Sequence, residues 1–431
     1  MLESIHLKNV GPAAETKLDL APRLNILTGD NGLGKSFLLD IAWWTLTRKW
    51  PAEVNPKLTT GQMARPRNGE EASIAFSLTG KAKRQAYSSA FNRYQQAWTI
   101  PVGRPVNPGL VIYAQVDGSF SVWDPARNYW RKKSMTEGPE RPHAYVFSPR
   151  EVWDGLPGER GMLCNGLIND WSGWQKERGE SFRLLSAVLD ALSPDGEEKL
   201  TPGALTRISL DDVRDMPTLR LPYGQDVPVI HASAGMRRII ALAYFLTWCW
   251  HEHVHASKLL GQEVADQIIF LIDEIEAHLH PRWQRLIVKS LLEVVNNMAL
   301  AARVQLIAAT HSPLVLASIE PVFDEQQDAW FDFDLVKSEG QERHTVQIEK
   351  KDWVRQGDAS SWLVSDAFDL GSARSVEAEE ALNEAAEALK DETFDHKKAQ
   401  ALDQKLRTLL SDTDPFWIRW RFVGEKRGWI R

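Results

Sequence analysis

The stretch Leu24-Asn25-Ile26-Leu27-Thr28-Gly29-Asp30-Asn31-Gly32-Leu33-Gly34-Lys35-Ser36-Phe37-Leu38-Leu39 decides how this chain is read. Its apolar start predicts a strand, its glycines a turn, and its apolar end the opening of a helix. In that setting Gly29 to Ser36 spell G-x-x-x-x-G-K-[ST], a loop whose backbone N–H groups curl around the phosphates of a nucleotide. The helix N-terminus adds a favourable dipole. Lys35 is expected to reach the β- and γ-phosphates, and the Ser36 hydroxyl to hold Mg²⁺. Gly29, Asp30, Asn31, Gly32, Leu33, Gly34, Lys35 and Ser36 are thus the first set of candidate nucleotide-binding residues. A glycine turn before an amphipathic helix can give the same letters by chance, so three later stretches matter.

The first of these is Ala232-Ser233-Ala234-Gly235-Met236-Arg237-Arg238, ahead of the helical spacing Ile239, Ile240, Leu242, Phe245 and Leu246. The Ser233 hydroxyl and Gly235 N–H at a helix start make an anion-binding point, although a plain capped helix has the same pattern. The second is Ile268-Ile269-Phe270-Leu271-Ile272-Asp273-Glu274, an apolar run ending in two carboxylates. A continuous apolar strand is what a buried parallel sheet requires, and ligands sit at the C-terminal ends of such strands. Asp273 would hold Mg²⁺ through water, and Glu274 would orient or deprotonate an attacking water. The run continues as Ile275-Glu276-Ala277-His278-Leu279-His280-Pro281, with Pro281 at the first turn of a helix. The third is the strand Val304–Ala309, which delivers Thr310-His311-Ser312-Pro313, where His311 would contact a γ-phosphate.

With the four motifs in this order, the chain resembles ABC-class ATPases, most closely the branch of SMC, RecF and OLD proteins. Lys35, Ser233, Asp273-Glu274 and His311 stand at the Walker A, signature, Walker B and switch-histidine positions. The resemblance covers about residues 1–350. It implies an α/β fold: an ABC-type head with a mixed sheet and a helical lobe at about 150–260, followed by a small α-helical extension at 351–431. It also implies ATP and Mg²⁺ as cofactors, with Ser36 and Asp273 at the metal and Glu274, His311 and Lys35 as catalytic groups. Two heads would sandwich two ATPs, each ATP lying between one chain's Walker motifs and the other chain's Ser233 and Gly235. Ala232, Met236 and His280 depart from a transporter pattern, and no clear Q-loop glutamine is found; Ser148 or Arg150 stands in its place. No sustained heptad predicts a coiled-coil arm. Armless heads of this build resemble ATPase subunits of bacterial antiviral systems, Septu-like and retron-linked, in which a separate nuclease or toxin is the effector. The alternatives are a RecF-like DNA repair clamp, which makes DNA a possible partner, and an OLD-like nuclease.

Composition narrows the rest. Hydrophobic residues at 43% and charged ones at 25% exclude a disordered chain, and no run reaches the roughly 18 apolar residues of a membrane span. Residues Met1 to His6 lack a signal-peptide layout, so a cytoplasmic location is expected. Cys164 and Cys249 give neither a disulfide framework nor zinc spacing, and are read as structural thiols. A net charge of −7 argues against a protein coated with nucleic acid, leaving room for a local basic face. One candidate face interleaves Arg419, Arg421, Lys426, Arg427 and Arg431 with Trp417, Trp420, Phe422 and Trp429. Such a pattern can stack on bases, or dock a terminal helix with its cations outward; docking is the reading taken.

Along the chain, Ile5–Leu7 and Thr16–Leu20 predict an antiparallel pair, Ala72–Leu78 a strand, and Leu110–Gln115 with Ser119–Trp123 a hairpin across Asp117-Gly118. Lys81, Lys83 and Arg84 and the segment Pro101–Pro108 read as loops, Ala144–Ser148 as a strand, and 163–195 as mostly helical. Two motifs are decoys. His251-Glu252-His253-Val254-His255 fits H-E-x-x-H without a third zinc ligand. Asp332-Phe333-Asp334 resembles the D-x-D of Toprim nucleases, but falls in a strand expected to pair with His344–Lys350 across Glu339-Gly340. Beyond Asp352, Ala359–Leu370 and Ser375–Leu410 predict helices, with Ser375 as N-cap and Val376, Leu382, Leu389, Leu402, Leu406 and Leu409 on apolar faces.

Overall fold

The fold comes from a computed structural model, which describes residues 1–67, 69–80, 84–100, 105–129, 142–298, 302–337 and 344–429. Lys81, Lys83, Pro101, the Glu339-Gly340 turn and Arg431 lie outside the described residues. The chain divides into two compact units, Met1–Gly357 and Asp358–Arg431.

The larger unit is built on an eight-stranded mixed sheet. In spatial order its strands are His344–Lys351, Asp328–Lys337, Leu24–Gly29, Arg303–Ala309, Gln267–Ile272, Leu110–Ala114, Phe120–Trp123 and Tyr145–Phe147. The second to sixth run parallel. Gln267–Ile272 and Leu110–Ala114 are buried at every residue, which suits strands covered on both faces. Pairing of Ile272 with both Ala308 and Ala114 sets the strand ends level, so Gly29, Asp273, Thr310 and Gln115 emerge along one edge. The hairpin at Asp117-Gly118 forms, with Gly118 at φ +87°.

A second, antiparallel sheet orders Glu15–Asp19, Leu2–Lys8, Ser73–Thr79, Arg84–Asn92 and Ala97–Trp98. Arg84 therefore opens a nine-residue strand rather than a loop. Its alternation is masked because most of its side chains are polar or small and only Ser89 is fully buried. Helix Lys35–Thr47 packs into a core shared by both sheets. Trp44 stacks on Trp50 with centroids 5.5 Å apart, and also meets Phe76 and Trp98. Arg48 caps this helix at φ +65° with its guanidinium over Phe76 and Tyr87. Burial lowers its pKa to about 10.

The stretch 163–195 resolves into a short strand Gly161–Cys164 and helices Leu167–Glu177 and Glu180–Ala191, broken where Arg178 turns left-handed. Asn165 precedes the first helix. Three short strands follow, Thr201–Pro202, Thr218–Arg220 and Asp226–Pro228, and then the 27-residue helix Ala234–Leu260. Burial pushes the Cys164 thiol up to about 12 and the Cys249 thiol well above its usual value, so both are packing thiols. Among the described residues no helix is long and apolar enough to cross a membrane.

In the smaller unit the helical stretch Ser375–Leu410 comprises two helices. Ser375 caps Val376–Lys390, and Asp395 caps His396–Leu409 by accepting from Lys397 and Lys398. Ala378, Ala381, Ala385, Leu402 and Leu406 face a core with Trp417, Trp420 and Trp429, while Val376 is exposed. Ala359–Leu370 holds only the short helix Ala359–Leu363. The terminal helix Phe416–Lys426 buries its tryptophans and leaves Arg419, Arg421 and Lys426 outside.

Candidate active site

Strand Leu24–Gly29 ends against its neighbour, and that close approach explains the first glycine. Gly29 lies at φ +121°, and a Cβ there would sit 2.1 Å from the Phe333 carbonyl oxygen. Gly34, at φ +101°, leaves no room for a side chain beside Pro12. Lys35, 5% exposed, folds back over the loop and donates to the carbonyls of Gly29 at 2.7 Å and Asp30 at 2.8 Å. Burial lowers its pKa, with Asp273, Asp30 and Glu274 pulling the other way.

Asn31, Gly32, Gly34, Lys35, Ser36, Phe37, Asp273, Glu274 and His311 line one pocket of about 210 Å³. Three segments far apart in sequence thus bring together the charged and polar groups read from three of the motifs. Asp273 is 2% exposed, and its Oδ1 meets no hydrogen-bond donor. Burial raises its pKa, while the Ser36 hydroxyl lowers it. An orphaned, buried carboxylate oxygen beside a serine hydroxyl is a pair of oxygen donors suited to a hard divalent cation. Glu274 stands at φ +45°, a strained position for a residue with a side chain. His311 is held toward the neutral imidazole by burial and then by the Lys35 charge.

Ser233 and Gly235 are not at this pocket. Ser233 is exposed and caps the helix Ala234–Leu260, its hydroxyl accepting from Met236 N. A Cβ on Gly235 would lie 2.6 Å from the His278 carbonyl oxygen, so this helix start packs on the segment that follows Glu274.

Neither Ser148 nor Arg150 fills the expected Q-loop position. Ser148 is closed in a capping box with Glu151, and Arg150 is a surface residue paired with Asp154. The residue at the matching sheet edge is Gln115, which follows the strand paired in parallel with the Asp273 strand. Its side chain bonds Thr60 and Ser119. Arg238 ties its carbonyl to that of Asp273, at 2.6 and 3.2 Å. Sequence reading missed both; the available signal was one arginine, Arg238, directly ahead of the buried apolar run Ile239–Leu246. It also missed Asp40, one turn after Ser36, which accepts from the Tyr113 hydroxyl at 3.0 Å and is pushed up to about 7 by burial.

Both decoys have packing roles. His253 is buried against Asp124, and Glu252 pairs with Arg127. Among the described residues no group of three His, Cys, Asp or Glu gathers as for a metal. Asp332 accepts from the Thr28 hydroxyl at 2.6 Å inside the sheet.

The family described as "AAA domain, putative AbiEii toxin, Type IV TA system" matches residues 24–317, more than half of the chain. The "Retron Vc95 probable ATPase" of Vibrio cholerae serotype O1 biovar El Tor is 34% identical over 113 residues, covering 26% of this chain and 20% of that protein. The "Retron Ec83 probable ATPase" of Escherichia coli is 30% identical over 266 residues, covering 59% of this chain and 42% of that protein. The chain thus spans less than half the length of either curated relative. Among solved structures, the SMC head domain from Thermotoga maritima is 12% identical, with 82% of this chain and 99% of that one covered at a TM-score of 0.39.

Proposed function

Since this chain belongs to the family of AAA domains described as putative AbiEii toxins of type IV TA systems, we propose that it is an ATPase whose nucleotide cycle gates a separate effector protein. The observation that carries the reading is the convergence of Lys35, Ser36, Asp273, Glu274 and His311 on one pocket that contains an orphaned Asp273 oxygen. Lys35 would exchange its two loop carbonyls for phosphate oxygens of ATP. Ser36 and Asp273 would hold Mg²⁺, which supplies charge neutralisation at the phosphates. Glu274 orients the attacking water and accepts its proton, and neutral His311 donates a hydrogen bond toward the γ-phosphate. Exposed Ser233 and half-buried Gly235, both away from the pocket, would complete the site of a second copy, making an ATP-dependent dimer. The relatives' names, with "retron" and "probable ATPase", support an ATPase in an anti-phage setting; the gated partner would be a nuclease or toxin.

The test has two arms. Mg²⁺-dependent ATP turnover by the purified chain, lost in Lys35→Ala, tests the enzyme. Pull-down of the natively expressed chain with and without ATP, followed by identification of the bound protein, tests the partner. An ATPase stimulated by bare DNA, with no co-purifying protein, would instead support a repair clamp.

A further inference from the structure

Between the catalytic strand end and the switch strand lies a carboxylate that the mechanism above does not use. Glu276 Oε2 accepts from the Thr310 hydroxyl at 2.7 Å, and Oε1 accepts from the His311 backbone N–H at 2.5 Å. The Thr310 hydroxyl in turn accepts from Ser312 N at 3.1 Å. Alongside, Ile275 N donates to the Ala309 carbonyl at 3.1 Å, so the segments are joined by backbone as well as side chain. Burial pushes the Glu276 carboxyl above the usual range, and the two donated bonds draw it back. A carboxylate suits this position because both partners are donors and it is acceptor on both oxygens.

We infer that Glu276 is a positioning residue, fixing the backbone of His311 to the strand end that carries Glu274 so that the two groups keep one spacing across the pocket. The inference rests on the ATPase reading and deepens it. Glutamine at this position has one acceptor and turns an amide donor toward a donor, so one of the two bonds must break.

The experiment uses the full chain with Glu276→Gln, Thr310→Val and the double variant, Thr310→Val serving as the milder change that removes one hydroxyl. In Glu276→Gln, kcat should fall by about 10–100-fold, the scale of a displaced catalytic group, while KM, binding of a fluorescent ATP analogue and Tm stay close to the parent. The double variant should be no slower than Glu276→Gln, because both changes break one network. Backbone amide exchange of residues 309–312, measured without nucleotide, should accelerate in Glu276→Gln. Unchanged kcat, a rise in KM alone, or exchange as slow as in the parent would each overturn the role. A parent chain inert toward ATP would sink the ATPase reading, and the exchange measurement would still decide whether Glu276 holds this segment.

Discussion

At Glu274 the backbone is left-handed, a conformation that costs a residue with a side chain on the order of 1–3 kcal/mol and persists where surroundings impose it. The strain lies one residue beyond Asp273, and it aims a carboxylate into the pocket shared with Lys35 and His311. Glu274→Gln keeps the shape and removes the base, so nucleotide binding should persist while turnover falls by about 10²–10⁴-fold. Steady-state turnover beside fluorescent-nucleotide affinity checks this, and turnover equal to the parent would remove Glu274 from its role. Asp40 gives a pH test. Its folded pKa of about 7 lies above the ordinary carboxylate value, so the folded state takes up a proton and stability falls as pH rises toward 7. In nucleotide-free protein, Asp40→Asn should therefore raise Tm more at pH 8 than at pH 5, and an equal change at both would refute it. That Lys35, Ser36, Asp273, Glu274 and His311 share one pocket was legible in the sequence, because each stands just beyond the end of a strand in the motif order of a nucleotide site. Asp40, Gln115, Arg238 and Glu276 were not, since their roles depend on partners distant in sequence, such as Tyr113 for Asp40 and Gln115 for Arg238.

The nucleotide loop is held by the strand next to it, which makes its first glycine an element-level constraint. In Gly29→Ala the new methyl would meet the Phe333 carbonyl, a backbone atom of Asp328–Lys337 that cannot rotate aside. The variant should lose roughly 2–4 kcal/mol of stability and its nucleotide affinity. Gly32→Ala, with the same sign of φ but nothing within 4 Å, should lose only about 1 kcal/mol. Equal losses in denaturant unfolding would show that left-handed φ alone matters. Elements with continuous apolar runs or strict alternation were readable, because burial on one or both faces writes itself into the sequence. Arg84–Asn92 was not, since it gains its place by pairing with Ser73–Thr79 rather than by burying side chains. The break inside the helical stretch Ser375–Leu410 was not legible for another local reason: Asp391 ends one helix and Asp395 caps the next, within a stretch whose composition favours helix throughout. The tryptophans find a plain account here, as core residues such as Trp43, Trp44, Trp171 and Trp420.

For the molecule as a whole, the proposed role of Ser233 at a phosphate has to be squared with a pocket of its own chain that does not include it. Ser233 and Gly235 sit at the start of a helix whose Arg238 is bonded to the Asp273 and Gln115 carbonyls, so that helix cannot swing freely toward Lys35. On the proposed function, a second copy facing the first would supply the missing half without such a movement. The consequence can be tested by complementation. Lys35→Ala removes the phosphate clamp, and Ser233→Arg places bulk and charge where the opposing nucleotide would sit; each homodimer should be nearly inactive. After subunit exchange, the heterodimer has one site with both defects and one in which intact Walker residues face an intact Ser233. ATP turnover should therefore return in the mixture, reaching at most a minority of parental activity, if the sites fire independently. A mixture as inactive as either variant, with heterodimers confirmed by pull-down of two tags, would count against independently firing composite sites. Full activity of Ser233→Arg alone would remove Ser233 from the site, and would return the pocket of a single chain to being the whole catalytic centre.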